Sequence, residues 1–238
     1  MQERTQLQKS MIRLLSFADL ISISNAVCGA LAILVLFTNI DFKIHISFSL
    51  ILLGLLADGL DGIIARRTRK SNIGEFLEAM ADMASMVIAP AVFIFFIYFS
   101  SEVISKDIFR QIYLFIALIL FLFFGIVRLA SFNIMKEKKT YVGLPASASA
   151  IILLILTYFE IDFIFILPAV IIVGAVMTSN IVFPKPNALI NAAALIFIIL
   201  SIIFGKTYLG FAPFLLLIAI FAYVIGGSIY EKILEKNR

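Results

Sequence analysis

Along the chain, apolar stretches near residues 19–38, 46–65, 76–99, 110–134, 145–159, 162–182, 188–205 and 208–229 alternate with short polar ones. Most reach the roughly 20 residues that an α-helix needs to cross about 30 Å of hydrocarbon. They predict an all-α, polytopic integral membrane bundle of about eight transmembrane helices. Six or seven are the alternative counts, since the fifth stretch is short and only Glu160 and Asp162 part it from the sixth. Ahead of the first span, residues 1–18 form an N-terminal cytoplasmic or interfacial segment in which Met11, Ile12, Leu14, Leu15 and Phe17 can share one face. An unstructured start over residues 1–10 fits the same composition. Residues 19–230 then make one membrane-embedded domain, and residues 231–238 a cytoplasmic tail. Pro145, Pro168 and Pro184 are expected at helix starts or kinks. No period of 20–50 residues recurs, so a repeat array is not expected.

Composition agrees with this reading. The chain is 63% hydrophobic and 14% charged, with a mean hydropathy of +1.12. Soluble domains run about 45–50% apolar and about 25% charged. The first apolar stretch lacks a small-residue cleavage site and reads as a retained span. A single cysteine, Cys28, excludes an intramolecular disulfide and reads as a small packing residue. The only histidine, His45, lies beside a loop and cannot build a metal site alone. The cations cluster in polar segments of one side, as in Arg66-Arg67-Thr-Arg69-Lys70 and Lys136-Glu-Lys138-Lys139, while the other side holds only Lys43, Lys106, Arg110 and Lys206. This positive-inside bias predicts a multi-pass cell-membrane protein with both termini cytoplasmic. It also gives no support to a nucleic-acid partner.

The chemistry concentrates at the junction of the second and third spans. Asp58, Asp61, Gly62, Ala65 and Arg66 fall on one helical face, and Gly74, Glu78 and Asp82 on one face of the next helix. Arg67 to Ile73 join the two and let the acidic faces meet. Ionisable residues at membrane depth are rare and mark function. Clustered carboxylates bind hard divalent cations through oxygen, with substrate phosphates as further ligands. The pattern reads as a two-metal phosphoryl-transfer site at the cytoplasmic edge. Glu75, one step off that face, reads as a solvated first-turn acid.

The spacing resembles the signature of the CDP-alcohol phosphatidyltransferase family, D-x2-D-G-x2-A-R, seven or eight residues, then G-x3-D-x3-D. Asp58, Asp61, Gly62, Ala65, Arg66, Gly74 and Asp82 match it, and Glu78 stands where the family has its third aspartate. The resemblance implies that Asp58, Asp61, Glu78 and Asp82 hold two divalent cations, Mg2+ or Mn2+. It also implies that Asp82 is the general base, and that Gly62, Ala65, Arg66 and Gly74 bind the CDP-lipid. Glutamate at 78 adds a methylene to the ligand, and Mg2+ tolerates such shifts poorly.

Three further segments resemble the phosphatidylserine or archaetidylserine synthase branch. They are Ser24-Asn25-Ala-Val-Cys28-Gly29, Gly125 to Asn133 with Gly143-Leu-Pro145, and Ser179-Asn180-Ile-Val-Phe-Pro184-Lys185. That branch implies CDP-diacylglycerol or CDP-archaeol as donor, L-serine as acceptor and a homodimer in the bilayer. Arg128, Asn133, Asn180 and Lys185 are then expected at the acceptor rim. Ser131 and Val182 replace arginines usual in the branch. Glycerol 3-phosphate or inositol phosphate is the alternative acceptor within the class. Outside it stand an ion or proton transporter and a catalytically weakened paralogue.

Overall fold

The computed structural model describes residues 15–65, 73–101, 104, 106–132 and 140–236; of residues 60–65 and 230–236 only the backbone course is described. Eight helices follow one another among these residues: α1 (Phe17–Leu36), α2 (Lys43–Ala65), α3 (Gly74–Phe99), α4 (Ile108–Ser131), α5 (Ala146–Tyr158), α6 (Phe163–Met177), α7 (Ala188–Phe204) and α8 (Thr207–Lys236). They coincide with the eight apolar stretches. Four of them, α1, α3, α4 and α8, are long and apolar enough to cross a membrane. Residues 1–14, expected as an interfacial segment, lie outside the described residues.

Polar residues at the turns start several helices. Ser16 and Asp19 form a capping box on α1, with Ser16 N donating to Asp19 Oδ2 at 2.6 Å. Asp107, Asp162 and Asn187 accept from the first-turn amides of α4, α6 and α7. Pro145 precedes α5 as its cap residue and Pro168 lies inside α6. Pro184, expected at a helix start or kink, instead ends a strand, where its missing N–H removes no ladder bond that the pairing requires. The helix of α8 is left-handed at Tyr208, Leu209 and Gly210 and becomes regular only beyond them. It continues to Lys236, through most of the segment expected as a tail.

Two sets of contacts show that successive helices run in opposite directions. At one end, β1 (Thr140–Val142), between α4 and α5, pairs antiparallel with β2 (Val182–Pro184), between α6 and α7, with Tyr141 opposite Phe183. Gly143 has φ +76°, and a Cβ there would lie 2.2 Å from the Met177 carbonyl oxygen, so only glycine fits this turn. Tyr223 of α8 donates to the Pro184 carbonyl at 2.7 Å. At the opposite end Lys206 pairs with Glu160 at 2.7 Å, Tyr158 and His45 Nδ1 lie 3.0 Å apart, and Tyr98 donates to the Ile161 carbonyl. The lone histidine is therefore part of an end clasp.

The short α5 is the hub. Its 13 residues span about 20 Å, less than the hydrocarbon thickness. Ile151 to Ile155 are nevertheless all buried, and so is almost all of the helix. A helix apolar on every side and surrounded by protein has no need to span lipid by itself.

α3 is not a regular helix. After Asp82 it widens into a π-helical turn, Met83–Ile88, and resumes α geometry at Ala89. Pro90 follows at once and has no N–H for the carbonyl four residues back, which accommodates the irregular ladder. Three helices close on this turn through glycine or a neighbouring small side chain. A Cβ on Gly29 of α1 would lie 2.8 Å from Ser85 Cα, one on Gly54 of α2 3.3 Å from Ser85 Cβ, and one on Gly125 of α4 2.5 Å from Val87 Cγ1. Small residues let helix backbones approach this closely in membranes. Gly29→Ala meets backbone and is expected to destabilise the protein by about 1–3 kcal/mol. Gly226→Ala, with nothing within 4 Å among the described residues, is expected to leave it unchanged. Melting temperatures of the two variants in detergent check both.

Candidate active site

The π-helical turn sets the face that α3 presents just before it. Glu78 and Asp82 precede it by one turn and by one residue, and Gly74 opens the helix. Opposite stands Asp58 of α2. The Asp58 and Asp82 carboxyls lie within hydrogen-bonding reach of each other, and Glu78 is close enough for its charge to be felt at Asp82. One acid from each of the two expected faces, Asp58 and Asp82, thus meets the other across 24 residues of sequence. Helix α2 continues through Asp61, Gly62 and Ala65, but their side chains, and all of Arg66, lie outside the described residues. Among the described residues no group of three or more acidic, histidine or cysteine side chains has the geometry to hold an ion alone.

The chemistry of the donors still suits a divalent cation. Two carboxylates at hydrogen-bonding distance repel each other unless a proton or a cation lies between them. All three described acids offer oxygen, which hard cations prefer. Glu75 is exposed in the first turn of α3, as expected for an acid off the site face.

Sequence reasoning missed the contribution of α1. Asn25, 1% exposed, donates from Nδ2 to Asp82 Oδ1 at 3.1 Å. The signal was available: an asparagine in the middle of an apolar span carries the same implication as an acid there. Gly54, whose missing side chain makes room for Asn25, gave no such signal.

The expected rim residues divide. Arg128, on the last turn of α4, is 6% exposed; its Nε donates to the Leu144 carbonyl at 3.2 Å and its guanidinium lies 5.4 Å from the centre of the Phe132 ring. No carboxylate among the described residues pairs with it. Lys185 Nζ stands 5.1 Å from the centre of the Tyr141 ring, and Tyr141 also lies near Arg128. Arg128 and Lys185 therefore converge on Tyr141, a residue that sequence reasoning did not single out. Asn180 is exposed in the turn before β2, and Asn133 lies outside the described residues. Gly125, packed on Val87, sets the depth of Arg128: three residues beyond that contact on α4, it runs toward the same end as Asp82, five residues before Val87 on α3.

An all-α bundle with membrane-length helices brings carboxylates of α2 and α3 together, with a buried arginine at the same end, an arrangement that suits a membrane-embedded transferase of activated phosphates. A family model described as CDP-alcohol phosphatidyltransferase matches residues 15–181, and the chain belongs to that family. It is 32% identical over 180 residues to a CDP-diacylglycerol--serine O-phosphatidyltransferase of Methanocaldococcus jannaschii, covering 75% of this chain and 79% of that one. It is 32% identical over 189 residues to an archaetidylserine synthase of Methanothermobacter thermautotrophicus, covering 76% and 75%. A CDP-diacylglycerol--serine O-phosphatidyltransferase of Helicobacter pylori is 26% identical over 238 residues, covering 93% and 96%. The protein is thus a membrane enzyme of CDP-alcohol phosphotransfer.

Asp82→Asn removes one charge from the acidic group. In metal-free detergent the variant is expected to melt at or above the wild-type temperature, because the repulsion is gone. It should also lose the upward shift that Mn2+ gives the wild type. Fluorimetric melts with and without Mn2+ measure both, and equal Mn2+ shifts in the two proteins would remove Asp82 from the ligands.

Proposed function

We propose that the protein transfers a phosphatidyl or archaetidyl group from CDP-diacylglycerol or CDP-archaeol to the hydroxyl of L-serine and releases CMP. The approach of Asp58 and Asp82, within the field of Glu78, is the observation that carries this reading. The names of the relatives support serine, and the resemblance of the segments that bear Arg128 and Lys185 to the serine synthase branch supports it further. On this reading Asp58, Asp61, Glu78 and Asp82 hold two divalent cations, Mg2+ or Mn2+. When bound, such ions neutralise pyrophosphate oxygens and ease departure of the nucleotide.

The remaining work falls to the chain. A hydroxyl is a poor nucleophile at neutral pH, so Asp82 takes its proton as the serine oxygen attacks the β-phosphorus. The new P–O bond forms as the bond from that phosphorus to the CMP oxygen breaks, and CMP leaves with the electron pair. Gly62, Ala65, Arg66 and Gly74 seat the CDP-lipid, with Arg66 on phosphate. A buried guanidinium with one backbone partner among the described residues is an anion receptor, and Arg128 takes the serine carboxylate. The basic segments between α2 and α3 and between α4 and α5 support a site on the cytoplasmic side of the cell membrane, with both termini there. A homodimer is carried over from the family resemblance. Lys185 beside Arg128 favours one second reading, a phosphate-bearing acceptor such as glycerol 3-phosphate or inositol phosphate.

The test is CMP release by purified protein in detergent with CDP-activated lipid and Mn2+ or Mg2+. Serine, glycerol 3-phosphate, inositol phosphate and no acceptor are compared, with Asp82→Ala as the blank. Serine-dependent release that vanishes in the blank is expected; release driven by a phosphate-bearing alcohol instead would overturn the serine assignment. Arg128→Ala should raise the KM for serine by about tenfold or more, as befits loss of a hydrogen bond to a charged group. The KM for CDP-lipid should hold steady.

A further inference from the structure

Asn25 is a costly residue where it stands. It sits on α1 at 1% exposure, and while Nδ2 donates to Asp82 Oδ1, its carbonyl Oδ1 is buried with no hydrogen-bond partner among the described residues. A buried carbonyl left unpaired costs about 1–3 kcal/mol, and leucine of similar size would carry no such penalty. The surroundings are nonetheless built to admit it. A Cβ on Gly54 would lie 2.8 Å from Asn25 Oδ1, so α2 has no side chain where the amide lies. One turn along the same face of α1, Gly29 rests on Ser85 of the π-helical turn and sets the gap between α1 and α3.

We propose that Asn25 is a positioning residue for Asp82. Its amide holds one carboxylate oxygen and thereby fixes the plane of the group, which leaves the other oxygen for the reacting hydroxyl and the ion. A neutral donor suits this task. Lysine or arginine would hold the carboxylate as well, but would add a cation that opposes metal binding and quenches a base. The unpaired carbonyl is the penalty for placing a one-sided donor there, and buried polar groups kept against stability mark functional sites. This inference rests on the reading of Asp82 as base and ligand. Residues that orient a ligand from behind typically matter by about 10–100-fold in metal affinity or activity.

Full-length Asn25→Leu and Asn25→Ser test it. Mn2+ affinity, read by electron paramagnetic resonance without substrate, is expected to weaken by about tenfold in both variants. At saturating Mn2+, kcat should fall by about tenfold or more with little change in the KM for CDP-lipid. The metal-free melting temperature of Asn25→Leu should equal or exceed that of the wild type, since the unpaired carbonyl is gone. Unchanged Mn2+ affinity and kcat would overturn the assignment. So would losses that merely track a falling melting temperature, which would make Asn25 a packing residue. The Mn2+ measurement needs no acceptor. A wild type that binds Mn2+ yet releases no CMP with serine counts against the serine assignment and leaves Asn25 standing.

Discussion

The close approach of α1, α2 and α4 to the π-helical turn of α3 is the constraint on which the rest depends. Lipid tails are as apolar as leucine, so burial gives helices little reason to associate in a membrane; tight packing does. Gly29 and Gly125 allow that packing against Ser85 and Val87, and Gly54 allows it by leaving room for Asn25. The turn begins at the residue after Asp82. Packing and chemistry therefore share one segment: whatever sets the distance from α1 and α2 to α3 also sets where Asp82 stands relative to Asn25 and Asp58. A π turn in a helix often accompanies a functional site. Here it turns the acidic face of the first half of α3 independently of the apolar second half.

The two ends of the bundle are held by different means. The end away from the acidic site is tied by Lys206–Glu160, His45–Tyr158 and Tyr98 on the Ile161 carbonyl. The site end is tied by backbone pairing between β1 and β2 and by Arg128 on the Leu144 carbonyl. Arg128 donates from Nε to the Leu144 carbonyl, and a buried cation that meets no carboxylate among the described residues suits an incoming anion.

Several segments that resemble the serine synthase branch turn out to be neighbours. Gly143-Leu-Pro145 and Ser179 to Lys185 meet as β1 and β2 and the turns beside them, with Gly143 N donating to the Ile181 carbonyl at 2.8 Å. Gly143 is there for a left-handed turn against Met177, and Gly125 for the seat on Val87. These glycines are structural, while Arg128 and Lys185 beside them are the cations that stand near Tyr141.

The sequence by itself determined the eight apolar stretches, the sidedness of charge and the helical register of the acids. Each is a local property: hydrophobic length, loop composition and spacings of three and four residues need no knowledge of neighbours. The turn at Glu160 and Asp162 was legible for the same reason, since two acids interrupt an apolar run. The tertiary structure alone decided that Asn25 reaches Asp82, 57 residues away, that Gly54 makes room for it, and that Arg128 and Lys185 converge on Tyr141. It alone showed the π turn and the three-residue strands, which are too short to leave a periodic signal and form only because distant loops meet. These features depend on how closely helices approach, and that distance is set by both partners at once, so no single stretch of sequence carries it.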